Sequence, residues 1–180
     1  MLEFIQNIDF IILNFIHNNL TSPFLDPLMR FITTLGNGGA VWIVITVLML
    51  ISKKYRKTGI MMTMGLVLCM LIGNVILKPL VARLRPFQIL SGIELLIKAP
   101  RDFSFPSGHT YSSILSGTII FARHKRIGIY ALILAVLISF SRLYLYVHFP
   151  SDVLAGAIFG VLTALLSIRT VLFCEKNEKI

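Results

Sequence analysis

Apolar residues run along this chain in long blocks, and polar residues gather in short clusters between the blocks. That is the pattern of helices immersed in lipid rather than of elements around a soluble core. Residues 58–77 (TGIMMTMGLVLCMLIGNVIL) match the ~20 residues an α-helix needs to cross a bilayer. Further apolar runs follow at 109–122, 127–141 and 153–173, and another precedes at 40–52. The 40–52 run reaches spanning length only by extending back into the GNGG cluster at 36–39, which otherwise reads as a break. Residues 4–20 are apolar but interrupted by Asn, Asp and His, as in a short, imperfect span or a helix at the membrane interface. Residues 24–35 are amphipathic and are expected to lie along the outer surface or to re-enter slightly. The sum is an all-α integral membrane helical bundle of about six transmembrane helices, with a short amphipathic segment near the N-terminus. The 180 residues leave no room for a second sizeable domain, so 1–180 is read as one.

Composition agrees. Hydrophobic residues make up 56% of the chain and charged residues only 14%, with a mean hydropathy of +0.84. A soluble domain carries about 25% charged residues. The net charge of +9 would suit nucleic acid if it lay on a solvated face. Here the basic residues flank apolar runs, which fits membrane topology and an anionic ligand better. No nucleic-acid partner is expected, and no obligate protein partner is evident. Cys69 and Cys174 are isolated, with neither metal-site spacing nor a disulfide framework, and are read as incidental. The acidic N-terminus lacks a small-residue cleavage site and does not resemble a signal peptide, so the apolar segments themselves direct insertion.

Two short loops between apolar runs, KKYRK (53–57) and RHKR (123–126), are strongly basic and should face the cytoplasm. The tail after residue 173 then lies on the same side, as does the N-terminus if 4–20 spans. That assignment leaves Lys78, Arg83, Arg85, Lys98, Arg101 and Arg142 on the disfavoured outer side. Snorkelling to headgroup level accounts for any one of them. Six together suggest that something anionic binds there.

Three polar clusters share this side: KPLVARLRP (78–86), PSGH (106–109) and SRLYLYVHFPSD (141–152). A phosphate carries about two negative charges and several acceptor oxygens. Arg85 and Arg142 can engage those oxygens through planar, bidentate guanidinium groups, while Lys78 supplies a compact point charge. Ser107 reads as a helix N-cap with Gly108 in the first turn, where free N–H groups face an anion and glycine permits close approach. Pro106 restricts Phe105 to an extended conformation and separates loop from helix. Pro150 suits the first position of the next helix, so Asp152 falls in its first turn and can reach back toward His148. A carboxylate accepting from one ring nitrogen leaves the other free as a nucleophile. Alone, that pair reads more simply as a helix cap beside an interfacial histidine. Beside the other two clusters it reads as a site.

In this order and at these spacings, KxxxxxxRP, PSGH and SRxxxxxHxxxD resemble the three-part signature of the type 2 phosphatidic acid phosphatase superfamily. That superfamily groups membrane lipid phosphatases with soluble vanadium haloperoxidases. Every signature position is matched: Lys78, Arg85 and Pro86; Pro106, Ser107, Gly108 and His109; Ser141, Arg142, His148 and Asp152. The resemblance covers roughly residues 57–173 and does not reach the region before 40. It implies that His148 attacks phosphorus to form a phosphohistidine, oriented by Asp152. His109 would protonate the departing oxygen and then activate water. Lys78, Arg85, Ser107, Gly108 and Arg142 would bind the phosphoryl oxygens. No metal and no other cofactor is implied.

The expected function is a metal-independent membrane lipid phosphatase, with undecaprenyl diphosphate favoured as substrate. Phosphatidylglycerophosphate or phosphatidic acid is the alternative, and lipid A a further one in an outer-membrane bacterium. A haloperoxidase of the known type would be soluble and larger. A non-catalytic lipid-binding or transport protein would need the cations but not both histidines and Asp152. The expected location is the plasma (inner) membrane, multi-pass, with the active site extracytoplasmic and the C-terminus cytoplasmic. Outside the signature, Arg83, Lys98 and Arg101 are candidates for a second phosphate, and Glu94 and Asp102 for pairing with Lys98 or Arg101. Trp42 and the tyrosines suit an aromatic belt, with packing favoured for Tyr144 and Tyr146. MMTM (61–64) reads as helix core, and Gly65, Gly73 and Asn74 as helix contacts. His17 and His124 read as solvated or interfacial.

Overall fold

The computed structural model describes residues 2–90 and 92–177; the end of the tail, 178–180, lies outside them. All regular structure among the described residues is helical. In chain order the helices are α1 (Leu2–Leu20), α2 (Leu25–Leu35), a 3-10 turn (Asn37–Gly39), α3 (Ala40–Ile51) and α4 (Arg56–Cys69). A π-helical stretch (Met70–Leu77) leads into the short α5 (Lys78–Val81) and α6 (Pro86–Ile89). After a long irregular loop come α7 (Gly108–Arg123), α8 (Lys125–Tyr144) and α9 (Pro150–Asn177).

Three helical stretches are long and apolar enough to cross a membrane: Arg56–Ile89, Lys125–Tyr144 and Pro150–Asn177. A fourth candidate is a broken one, Leu25–Leu35 joined to Asn37–Ile51 across a 46° bend. This changes the reading of residues 24–35. Met29, Ile32 and Thr33 of α2 are buried against the bundle, so α2 is the first half of a bent rod rather than a surface helix. The GNGG cluster makes the bend because Gly38 and Gly39 take left-handed backbone (φ 58° and 72°), which glycine adopts without a Cβ penalty.

The 16-residue α7 sits at the centre, in contact with α3, α4, α8 and α9. Tyr111, Leu115, Ile119 and Ile120 bury its flanks. Helix α9 crosses it closely because of glycine: a Cβ at Gly156 would lie 2.8 Å from the Ser107 carbonyl oxygen. Trp42 is not in an interfacial belt. It is fully buried and donates from Nε1 to Ser113 Oγ at 2.8 Å, joining α3 to α7. Met61 and Met62 are core, as their pattern suggested.

One end of the bundle gathers both basic loops and the end of α9. Lys57 Nζ donates to Glu175 Oε2 at 3.0 Å, and Thr58 Oγ1 lies 2.9 Å from His124 Nε2. The opposite end holds the three polar clusters. Helix α1 lies across that second end, since its partners there run from Ser151 to Tyr146: Asp9 meets Ser151, Phe10 packs edge-on to Phe149, and Asn14 accepts from Tyr146. His17 also packs edge-on to Tyr146.

Candidate functional site

The first cluster is shaped by two departures from α-helix. The π-helical turns after Cys69 carry Asn74 and Lys78 onto the wall of a cavity. Such i→i+5 turns recur at functional sites because they re-aim side chains within a helix. Ala82 then ends α5 in the left-handed region (φ 47°), reversing the chain so that Arg83 and Arg85 point to different places. Arg85 enters the cavity, where its guanidinium donates to Val147 O at 2.6 Å, Asp102 O at 2.8 Å and Asp102 Oδ1 at 2.8 Å. Arg83 does not line the cavity; it donates to Asp152, Ser151 and Asp9 instead, so it is unavailable to a second phosphate.

The second cluster opens α7. Ser107 is its N-cap and accepts from Thr110 N at 3.4 Å. Its hydroxyl is fully buried behind the cavity wall, 3.0 Å from Thr110 Oγ1, while Gly108 and His109 form the wall itself. The Ser107 N–H donates to Asp152 O at 3.1 Å, fastening the starts of α7 and α9 together. His109 Nε2 lies 3.0 Å from Asn37 Oδ1. The ring rests on Gly36, where a Cβ would come within 2.6 Å of its Cδ2.

The third cluster supplies Arg142 from α8 and His148 from the link to α9. Arg142 is buried; Nη1 donates to Thr33 Oγ1, and among the described residues Nε has no partner. His148 is almost wholly enclosed, with Nε2 3.1 Å from Arg85 Nη1. A guanidinium can only donate, so Nε2 accepts and the ring proton resides on Nδ1. Nδ1 faces Ser104 Oγ at 3.5 Å and Asp152 Oδ2 at 3.6 Å. Asp152 Oδ2 is itself held by Ser104 Oγ (2.5 Å) and by the Phe149 N–H (2.9 Å). The carboxylate therefore reaches the ring through Ser104, with its own Oδ2 just outside hydrogen-bond distance of Nδ1. Burial, reinforced by Arg85, Arg142 and Lys78, pushes the His148 imidazole well below its usual range, so it is neutral at neutral pH.

The cavity encloses about 1160 Å³ and brings Lys78, Arg85, Gly108, His109, Arg142 and His148 onto one wall system. Ser107 and Asp152 stand just behind it. Exposed Arg30, Lys98 and Arg101 also line it, and Ile43, Leu66 and Met70 contribute apolar surface. Asp102 pairs with Lys78 and Arg85, not with Lys98 or Arg101. Burial acts to raise its carboxyl, but Lys78 and Arg85 outweigh that and hold it down at about 2. Sequence reasoning missed Asn37, Asn74 and Asp102 as cavity residues. The usable signals were a polar residue inside a glycine break, an Asn within a span, and a carboxylate in a loop facing many cations.

The sequence profile of the PAP2 superfamily matches residues 58–176. The chain is 39% identical over 146 residues to an undecaprenyl-diphosphatase of Sulfolobus acidocaldarius, covering 81% of this chain and 70% of that protein. It is 32% identical over 176 residues to a lipid A 4'-phosphatase of Bacteroides thetaiotaomicron, covering 89% of this chain and 75% of that protein. Among solved structures it resembles a transmembrane PAP2-type phosphatidylglycerolphosphate phosphatase from Bacillus subtilis, with a TM-score of 0.72 and 30% identity over 97% of this chain and 87% of that one.

Proposed function

The chain belongs to the PAP2 superfamily and is a membrane phosphatase, and from that premise we propose that it hydrolyses the terminal phosphate of a lipid diphosphate through a phosphohistidine. The observation that carries this is the pairing of an unprotonated His148 Nε2, facing the cavity, with Nδ1 turned toward Asp152. Nε2 attacks phosphorus as the bond to the leaving oxygen breaks, and His109 delivers a proton to that oxygen. His109 then takes a proton from water, whose oxygen attacks phosphorus and releases inorganic phosphate with His148 restored. Lys78, Arg85, the Gly108 N–H at the α7 N-terminus and Arg142, whose Nε has no partner among the described residues, hold the oxygens on which charge builds. Ser107 acts here by capping the helix that presents Gly108. The mechanism draws on no metal and no other cofactor.

Undecaprenyl diphosphate is the favoured substrate. The undecaprenyl-diphosphatase relative supports it, and so do Arg30, Lys98 and Arg101, which extend the cationic lining beyond the reacting phosphate. Phosphatidylglycerophosphate is the second reading, supported by the likeness to the Bacillus subtilis phosphatase. The whole chain works as one domain in the plasma membrane, with α2/α3, α4, α7, α8 and α9 crossing and α1 lying in the outer interface. The basic loops and the C-terminus face the cytoplasm, and the site opens outward.

The test is phosphate release by the purified protein in detergent with EDTA present, from undecaprenyl diphosphate, phosphatidylglycerophosphate and phosphatidic acid. Wild type should prefer the diphosphate, and His148→Ala should lose at least ~10³-fold in kcat. Full activity in His148→Ala would remove the nucleophile assignment, and no release from any lipid would remove the enzymatic reading.

A further inference from the structure

Arg83 falls inside the first signature cluster without being one of its signature positions, and both terminal nitrogens of its guanidinium are engaged. Nη1 donates to Asp152 Oδ1 at 2.6 Å and to Ser151 Oγ at 2.7 Å, while Nη2 donates to Asp9 Oδ2 at 2.7 Å. Its flat face lies 4.0 Å over the Phe149 ring. Asp9 is 2% exposed and accepts further from the Ser151 N–H at 2.8 Å and the Ser151 hydroxyl at 2.5 Å. A buried carboxylate is unfavourable unless it is paired and hydrogen-bonded, and here every partner belongs to the site end. The two oxygens of Asp152 are thereby divided. Oδ2 faces His148, and Oδ1 is anchored by Arg83.

We propose that Arg83, clamped by Asp9 of α1, is a positioning residue for the His148–Asp152 pair, which makes the N-terminal helix a working part of the phosphatase. This rests on His148 being the nucleophile. Through Arg83, the seating of α1 sets where the Asp152 carboxylate can point and how much of its charge the histidine feels. The region matched by the family profile begins only at residue 58, so α1 contributes from outside it.

Removing the guanidinium leaves the Asp152 carboxylate still held by Ser104, the Phe149 N–H and the start of α9. The carboxylate then acts on His148 with less compensation and favours its imidazolium. The other groups facing the ring are unchanged: Arg85, Lys78 and Arg142 oppose the imidazolium, Asp102 favours it, and His109 stands across the cavity. The acid limb of kcat/KM therefore moves to higher pH in Arg83→Gln. A purely structural tie would lower the active fraction equally at every pH.

The experiment uses the full chain in detergent, with the lipid phosphate that wild type hydrolyses, and measures kcat and KM against pH. Arg83→Gln should lose about 10- to 100-fold in kcat with KM changed by less than about threefold, and its acid limb should rise. Arg83→Lys should recover part of the loss by keeping the charge. Asp9→Asn should lose about 3- to 10-fold, with its acid limb moved to lower pH because an unshared Arg83 compensates Asp152 more fully, and should add nothing to the loss in the Arg83→Gln background. An Arg83→Gln kcat within about twofold of wild type, an unshifted pH profile, or additive losses would overturn the proposal. If Arg83→Gln does not fold, Asp9→Asn and Arg83→Lys decide by the same profile. The His148→Ala control separates the two failures, since its activity tests the nucleophile independently of Arg83.

Discussion

The carboxylate of Asp102 bridges Lys78 and Arg85, the two cations that the proposed reaction assigns to the phosphoryl oxygens. Its side chain is 52% exposed at the cavity mouth, so an arriving phosphate must share those cations with it. Asp102→Asn keeps the shape and an acceptor for Arg85 but removes a negative charge from beside a dianion. Vanadate, which mimics the pentacovalent phosphoryl group, should then inhibit about 3- to 10-fold more tightly, roughly 1 kcal/mol after solvent screening. A weaker inhibition constant would mean that Asp102 organises the cations instead of competing for them. The acid limb of activity does not come from this pair. Asp102 is held at about 2, so its stabilising contribution is complete above the ordinary carboxylate range near ~4 and fades only as the pH falls through about 2.

The close crossing of α9 over α7 fixes the depth at which His109 sits. In Gly156→Ala the new methyl meets the Ser107 carbonyl oxygen at 2.8 Å, a backbone atom that cannot rotate away. About 1–3 kcal/mol of stability should be lost, read as a lower melting temperature in detergent. The folded protein should also show a reduced kcat, because the strain falls on the turn that carries Gly108 and His109. The starts of these helices were legible in the sequence: Ser107 caps α7 and Pro150 opens α9, and both signals act within a single turn. The role of α2 was not. An amphipathic segment announces that one face is buried but not against what. Here the partner of Thr33 is Arg142, more than a hundred residues away. The same holds for Arg83, whose type and position are visible in the sequence but whose acceptors, Asp9 and Asp152, are chosen by the way α1 crosses the bundle.

At the scale of the molecule, the charge pattern and the contacts agree on two distinct ends. Both basic loops and Glu175 share one end, while the signature clusters and α1 share the other. The alternation of short loops made that legible. The ambiguity of residues 4–20 was real, because hydropathy alone does not separate a span interrupted by polar residues from a helix lying across the bundle. Asp9, which a lipid-immersed segment could not carry unpaired, is held by Ser151 and Arg83 at the site end, and that pairing is what the proposed interfacial placement of α1 rests on. The proposed sidedness predicts a labelling pattern. Cys174 is exposed and Cys69 is buried, so a Cys69→Ala background leaves one natural reporter at the basic end. In intact cells a membrane-impermeant maleimide should leave Cys174 unlabelled and should react once the membrane is opened. With Cys174→Ser, single cysteines introduced by Lys98→Cys in the outer loop and Asn7→Cys on the exposed face of α1 should both label in intact cells. Labelling of Lys98→Cys without Asn7→Cys would make α1 a sixth crossing. Labelling of Cys174 from outside would turn the whole bundle over and put the phosphate-binding cavity in the cytoplasm.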